Sequence, residues 1–226
     1  MPYAPVILKP QQPVAERVLL PGDPGRALRL ATQLVDSPRM LNHHRGLWGY
    51  SGLATDGAPL TIQSTGLGGP SAAAVVAELV ELGARRLVRV GTASALGDTA
   101  LGAIVVARAA LAADGASRAL GASERVEADA RLTVALAAAA PPGLVASADI
   151  HDPVLGSSWE RAGAVACDLT TAAVLAAAQR GGASAAAILG ITRARGEHLR
   201  ADALEPLEQE LGAIALAALA APRGAV

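Results

Sequence analysis

Short runs of branched and leucine-rich residues alternate along the chain with alanine-rich stretches whose apolar positions recur every three to four residues. The runs Arg17 to Leu20, Leu60 to Ser64, Arg86 to Gly91, Ala103 to Ala107, Leu144 to Ala148, Ala164 to Asp168 and Ala185 to Ile191 read as strands. Between them, Pro24 to Leu34, Ser71 to Leu82, Ala128 to Ala140, Thr170 to Arg180 and Ala203 to Ala220 carry helical periodicity, clearest in Val75, Val76, Leu79, Val80 and Leu82. This alternation predicts an α/β fold with a mixed central β-sheet and helices on both faces. No stretch resembles a linker, so residues 1–226 are read as a single domain.

Composition narrows the function classes. Lys plus Arg number 19 against 20 Asp plus Glu, a formal net charge of -1, so nothing draws the whole molecule to nucleic acid or an anionic membrane. Any anion site must be local. The single cysteine, Cys167, excludes an intrachain disulfide and a thiolate cluster, so no metal is expected and a reducing compartment is. Met1 to Pro13 lacks the charged start, apolar centre and small-residue cleavage site of a secretory signal. Hydrophobic residues make up 52% of the chain. Charges, Gly or Pro nevertheless interrupt every apolar stretch before the ~20 residues needed to cross a bilayer. The expectation is a cytoplasmic protein with neither nucleic acid nor membrane as partner.

The chemistry concentrates where strands end. Leu19-Leu20-Pro21-Gly22-Asp23-Pro24-Gly25-Arg26 passes from an apolar run through a Gly/Pro turn into a helix, so amide groups at the helix start can face an anion while Arg26 adds charge. Ser64-Thr65-Gly66-Leu67-Gly68-Gly69-Pro70-Ser71 repeats the arrangement. Arg89-Val90-Gly91-Thr92-Ala93-Ser94 puts a guanidinium inside an apolar strand and a hydroxyl in the turn expected after it. Taken singly, a Pro-Gly-Asp-Pro stretch is as readily an ordinary turn, and Arg26 a solvated helix charge. Arg89 is different, because a charged residue in an apolar strand is buried only when paired. Three strand ends of this kind predict one shared anion site.

Two nucleotide motifs fail. The glycines at 66, 68 and 69 are followed by Ser71 where a dinucleotide fingerprint needs Gly, and no acidic residue ends a later strand at the required distance. No Gly-Lys-Ser/Thr triplet of a Walker-type loop occurs.

In order and spacing, Pro21-Gly22-Asp23-Pro24 with Arg26, His44-Arg45-Gly46 followed by Gly49-Tyr50-Ser51-Gly52, Gly66-Leu67-Gly68-Gly69-Pro70-Ser71 and Arg89-Val90-Gly91-Thr92 resemble the nucleoside phosphorylase-I family. The resemblance runs from about residue 16 to the last helix. It implies phosphorolysis of a nucleoside N-glycosidic bond to free base and (deoxy)ribose 1-phosphate, with inorganic phosphate as co-substrate and no cofactor. Gly22, Arg26, Arg89 and Thr92 match the family's phosphate ligands. Arg45 matches an arginine that reaches a neighbouring subunit's site, which implies a homo-oligomer, dimer-based and commonly a hexamer. Arg89 and Arg193 are the residues implied to carry the chemistry.

On the nucleoside side the resemblance points to Leu67, Ala93, Ser94, His151, Asp168, Leu169, Thr170 and Arg193. Here the sequence departs from the family pattern. Asp168-Leu169-Thr170 stands where Glu-Met-Glu is usual, so the carboxylate that grips the ribose hydroxyls is replaced by Thr170. Ile191-Thr192-Arg193 puts an arginine where purine-cleaving members carry the base-protonating Asp, as uridine-cleaving members do. Leu155-Gly156-Ser157 lacks the Gln and Arg that clasp uracil in uridine phosphorylases. The reading leans to the uridine type and leaves base and sugar open. A hydrolytic nucleosidase and a non-catalytic phosphate or nucleoside binder are the competing readings. Arg195, Glu197 and His198 are candidates for a lid over the base, and Arg89→Ala is expected to cost phosphate binding and leave the fold intact.

Overall fold

Strand β5 (Arg86–Ala95) organises the molecule because it has three partners. Along its first half, one edge runs parallel to β1 (Arg17–Pro21) and the other to β10 (Ser184–Ala194). Its pairing with β1 stops at Val90 opposite Pro21. At Ser94 and Ala95 that edge takes a new, antiparallel partner, β9 (Ala164–Asp168), with Ser94 opposite Cys167. The computed structural model describes residues 4–151 and 153–221; the extreme ends of the 1–226 single-domain reading, and Met1 to Tyr3 of the leader reading, lie outside them.

Beyond β10 the sheet continues antiparallel into β6 (Ile104–Ala113), then parallel through β8 (Pro142–Ala148) to β9. Strands β5, β10, β6, β8 and β9 therefore close into a small ring. From β5 an open wing extends through β1, β4 (Pro59–Gln63), β3 (Gly49–Ala54) and β2 (Val35–Asn42). Short strands β7 (Arg125–Glu127) and β11 (Glu197–His198) pair with β6 and β10. The ring is filled by Ala93, Ala107, Ala166 and Ala187 with Val105, Val145, Leu189 and Ile191. Small side chains suit so tight an interior.

The mixed α/β fold expected from the sequence is the one observed, and helices cover both faces of the wing and of β5. On one face α1 (Pro24–Leu34), α4 (Ala130–Leu136) and α7 (Ala201–Ala220) meet Leu19, Val88, Val90 and Ile188. On the other, α2 (Gly68–Glu81) and α6 (Thr171–Arg180) meet Val18, Leu20 and Leu87. This is the two-residue alternation of a strand buried on both sides, and it turns Arg89, in step with Leu87, toward α6. Helix α3 (Gly115–Ala119) packs against α2 and α6, and α5 (Pro153–Arg161) covers the outside of the ring with Trp159. Among the described residues no helix is long and apolar enough to cross a membrane.

One local expectation is corrected. Gly91-Thr92 is no turn, because β5 runs on to Ala95 with β10 alongside it. A strand supported along one edge has no reason to turn where the other edge is lost.

Candidate active site

A cavity of about 420 Å³ opens where β5 changes partners. The turn from β1 to α1 contributes Gly22, Asp23, Pro24 and Arg26, and the turn from β4 to α2 contributes Gly66, Leu67 and Gly68. β5 supplies Arg89, Thr92, Ala93 and Ser94, and the end of β10 supplies Thr192 and Arg193. His151 precedes α5, and Asp168, Leu169 and Thr170 join β9 to α6. Of the residues singled out from the sequence as phosphate or nucleoside contacts, all but Arg45 line this one space.

Arg89 is held by its Nε/Nη2 edge. Nη2 donates to Asp168 Oδ2 at 2.8 Å, and Nε lies 3.1 Å from both Asp168 Oδ2 and Thr171 Oγ1. The residue is 5% exposed, and its third nitrogen, Nη1, is buried beside the Gly22 turn without a partner among the described residues. Arg26, also buried, pairs through Nη2 with Glu208 Oε1 of α7 at 2.8 Å, while its Nε is buried with no partner among the described residues. An unmet donor on a buried cation is costly, so each is a reason for the site to accept a negatively charged ligand.

Asp168 is fully committed. Oδ1 accepts from Ser147 Oγ at 2.6 Å and from the amides of Thr170 and Thr171 at 3.2 and 3.1 Å, and Oδ2 accepts from Thr171 Oγ1 at 2.7 Å and from Arg89. Burial opposes its charge, but the Arg89 guanidinium and the hydrogen bonds from Ser147, Thr171 and Thr170 outweigh burial and hold its carboxyl below the ordinary range. A carboxylate offers about four lone-pair sites, so Asp168 has nothing left for a sugar diol. Asp168 anchors Arg89 and caps α6 in one stroke, with Ser147 Oγ taking the Ala172 amide at 2.9 Å. Thr170, at the cap position of α6, is 5% exposed and makes no side-chain cap bond.

The helix starts differ in what they offer. In α1 the Arg26 amide is already used by Asp23 Oδ1 at 2.7 Å, so that donor is not open to an anion as the sequence suggested. No side chain caps α2, which Leu67 precedes. Gly66 takes a φ of +73°, and a Cβ there would fall 2.6 Å from Ser71 Oγ, so glycine is required for the chain to enter α2 along the cavity wall.

Arg193, near the end of β10 and opposite Ser94 in register, is exposed, as is His151. Leu67 is 85% exposed. Arg45 does not line the cavity and is exposed in the 3-10 turn His44–Gly46, with φ 60° and ψ 18°. That turn is tied to the N-terminal segment, since His44 Nδ1 is 3.0 Å from the Ile7 carbonyl oxygen. Arg195 pairs with Asp98 at 2.5 Å on the surface, and Glu197 and His198 form β11; none of the three lines the cavity, nor do Leu155, Gly156 and Ser157 of α5. Sequence reasoning passed over Ser147, Thr171 and Glu208, the residues behind the arginines, because none sits in a glycine turn or a motif. Among the described residues, no group of three His, Cys, Asp or Glu side chains is placed to hold a metal.

A ring-and-wing α/β sheet thus gathers arginines and glycine turns around one cavity at its strand ends. The chain belongs to the phosphorylase superfamily, whose sequence model matches residues 16–221, as the resemblance read from the sequence implied. A uridine phosphorylase of Treponema pallidum (strain Nichols) is 38% identical over 106 residues, which cover 46% of this chain and only 40% of that protein's length. A DeoD-type purine nucleoside phosphorylase of Geobacillus kaustophilus (strain HTA426) is 31% identical over 192 residues, 79% of this chain and 81% of the relative. The crystal structure of uridine phosphorylase from Vibrio fischeri ES114, complexed with 6-hydroxy-1-naphthoic acid, superposes with a TM-score of 0.83 at 27% identity, covering 91% of each chain.

Proposed function

We propose that the chain, as a single domain, is a nucleoside phosphorylase. It would cleave an N-glycosidic bond with inorganic phosphate, giving free base and (deoxy)ribose 1-phosphate, on a uridine-type rather than a purine-type substrate. The observation that carries the reading is the pair of buried, unpartnered guanidinium nitrogens, Arg26 Nε and Arg89 Nη1, on residues that line one cavity. Gly22 and Thr92 would complete the phosphate site. Names among similar proteins include both uridine and purine phosphorylases, and Arg193 at the cavity wall supports the first.

In the proposed reaction the C1′–N bond breaks first, its electron pair leaving with the base and positive charge developing on the sugar. An oxygen of hydrogen phosphate then forms the new C1′–O bond, and the proton that the phosphate gives up ends on the base anion, by way of solvent. Arg26 and Arg89 hold the nucleophile, which removes an entropic cost that reaches roughly 7–11 kcal/mol in well-oriented cases. Arg193 would stabilise charge spreading onto a pyrimidine carbonyl. Leu67, Ala93, Ser94, His151, Leu169 and Thr170 would frame the nucleoside, with Asp168 acting on it only through Arg89. The steps call on no metal or organic cofactor. Arg45 would serve a neighbouring subunit's site in a cytoplasmic homo-oligomer.

The test is base release from uridine, thymidine, inosine, adenosine and methylthioadenosine with and without phosphate. Phosphate-dependent release, fastest with a pyrimidine, is expected. Release independent of phosphate would identify a nucleosidase, and none from any substrate a binding protein.

A further inference from the structure

We infer that Glu208 is a positioning residue for the anion-binding arm of the cavity, a buried carboxylate on α7 that sets the Arg26 guanidinium and is itself steadied by Arg29. The inference rests on the reading of the cavity as a phosphate site.

Arg26 and Arg29 stand three residues apart on α1 and so share a face. The Glu208 side chain, 2% exposed, sits between them. Its Oε1 is 2.8 Å from Arg26 Nη2, and its Oε2 is 2.5 Å from Arg29 Nη2 and 3.1 Å from Arg29 Nε. Glu208 does not line the cavity and acts from behind it.

Packing fixes where Glu208 can be. A Cβ added to Gly190 of β10 would fall 2.7 Å from Leu207 and 3.2 Å from Leu211, and one added to Gly212 would collide with Leu30 of α1. These two glycines let α7 lie close to both β10 and α1, close enough for a glutamate side chain to reach both arginines.

The charges explain why two arginines are needed. Arg26 is 8% exposed, and a guanidinium so buried requires a counter-ion when the cavity holds no anion. A lone carboxylate behind it would also repel phosphate. With Arg29 on its second oxygen, Glu208 belongs to a cluster of net charge +1, and Arg26 keeps a fixed orientation at the cavity wall. The Glu208 hydrogen bond raises the pKa of Arg29 against the effect of burial.

The test is calorimetric titration with inorganic phosphate, together with steady-state kinetics, on wild type, Glu208→Gln, Arg26→Ala and the double variant. Wild-type protein that binds no phosphate would sink the phosphate reading and the inference with it. Given wild-type binding, Glu208→Gln should weaken phosphate about tenfold, leave the nucleoside KM unchanged, and change phosphate affinity by less than about twofold when Arg26 is already alanine. Unchanged or tighter phosphate binding in Glu208→Gln, an equal rise in nucleoside KM, or an effect that persists without Arg26 overturns the inference. Should Glu208→Gln fail to fold, Arg29→Ala, at a half-buried surface position, exposes the Glu208 charge and should weaken phosphate in the same way; unchanged binding there also overturns it.

Discussion

At the scale of single residues, the same contact that orients Arg89 makes it part of the core. Removing the guanidinium strands the Asp168 carboxylate, 3% exposed, against a cavity wall. Breaking a buried pair from one side costs about 3–5 kcal/mol, so Arg89→Ala should lose both phosphate binding and much of its stability, with a lower denaturant midpoint as the readout. The expectation from sequence that this variant keeps its fold intact is thereby revised, since no sequence pattern joins Arg89 to a partner 79 residues away. A second prediction follows from Asp168 itself. Its carboxyl binds a proton more weakly in the folded protein than in the unfolded chain, so its contribution is full above the unfolded value of about 3.9 and is lost as pH falls through the lower folded value. Unfolding free energy should fall with acid in wild type, and Asp168→Asn should be less stable at pH 7 with a flatter acid limb. Parallel limbs would contradict the assignment.

At the scale of elements, the central strands and main helices were legible because their apolar periods are unbroken: α1 runs from Pro24 to Leu34 and β9 from Ala164 to Asp168, as the pattern predicts. Strand β2 was not, because Asp36, Ser37, Pro38 and Arg39 interrupt its alternation. Ser37 takes a φ of 47°, and the register shifts between Asp36 and Arg39 and again between Met40 and Asn42. Such an irregular outer strand has few buried positions to signal it. Strand β3 is hidden by Gly49 and Gly52, which pack against Gln63 and Val35. Helix α5 carries Gly156, Ser157 and Ser158, poor helix formers that only tertiary packing holds in place. The close seating of α7 was likewise invisible. It predicts that Gly190→Ala, whose new methyl would press on Leu207 and Leu211, destabilises the protein by about 1–3 kcal/mol; a thermal midpoint equal to wild type would argue against so tight a contact.

At the scale of the whole molecule, the cavity is assembled from segments far apart in sequence, and the position of Arg45 outside it sets the remaining question of assembly. If Arg45 completes a neighbour's site, Arg45→Ala and Arg193→Ala subunits should each be nearly inactive alone. Refolded together, they should regain a substantial fraction of wild-type activity, because a mixed pair contains one site with every group present. Activity no greater than the sum of the separate variants would place Arg45 outside catalysis. The change of partners along β5 has a further meaning for how such a protein diversifies. From Arg86 to Ala93 the strand is locked to β10 in uninterrupted register, so Arg89 and Thr92 cannot drift without unzipping the middle of the sheet. Leu67, His151 and Leu169 lie in connections and are free of that lock. Arg89 and Thr92 are thus written where the chain resists revision, and Leu67, His151 and Leu169 where it tolerates it, so on the proposed reading part of the nucleoside wall can change while these two phosphate contacts stay in place.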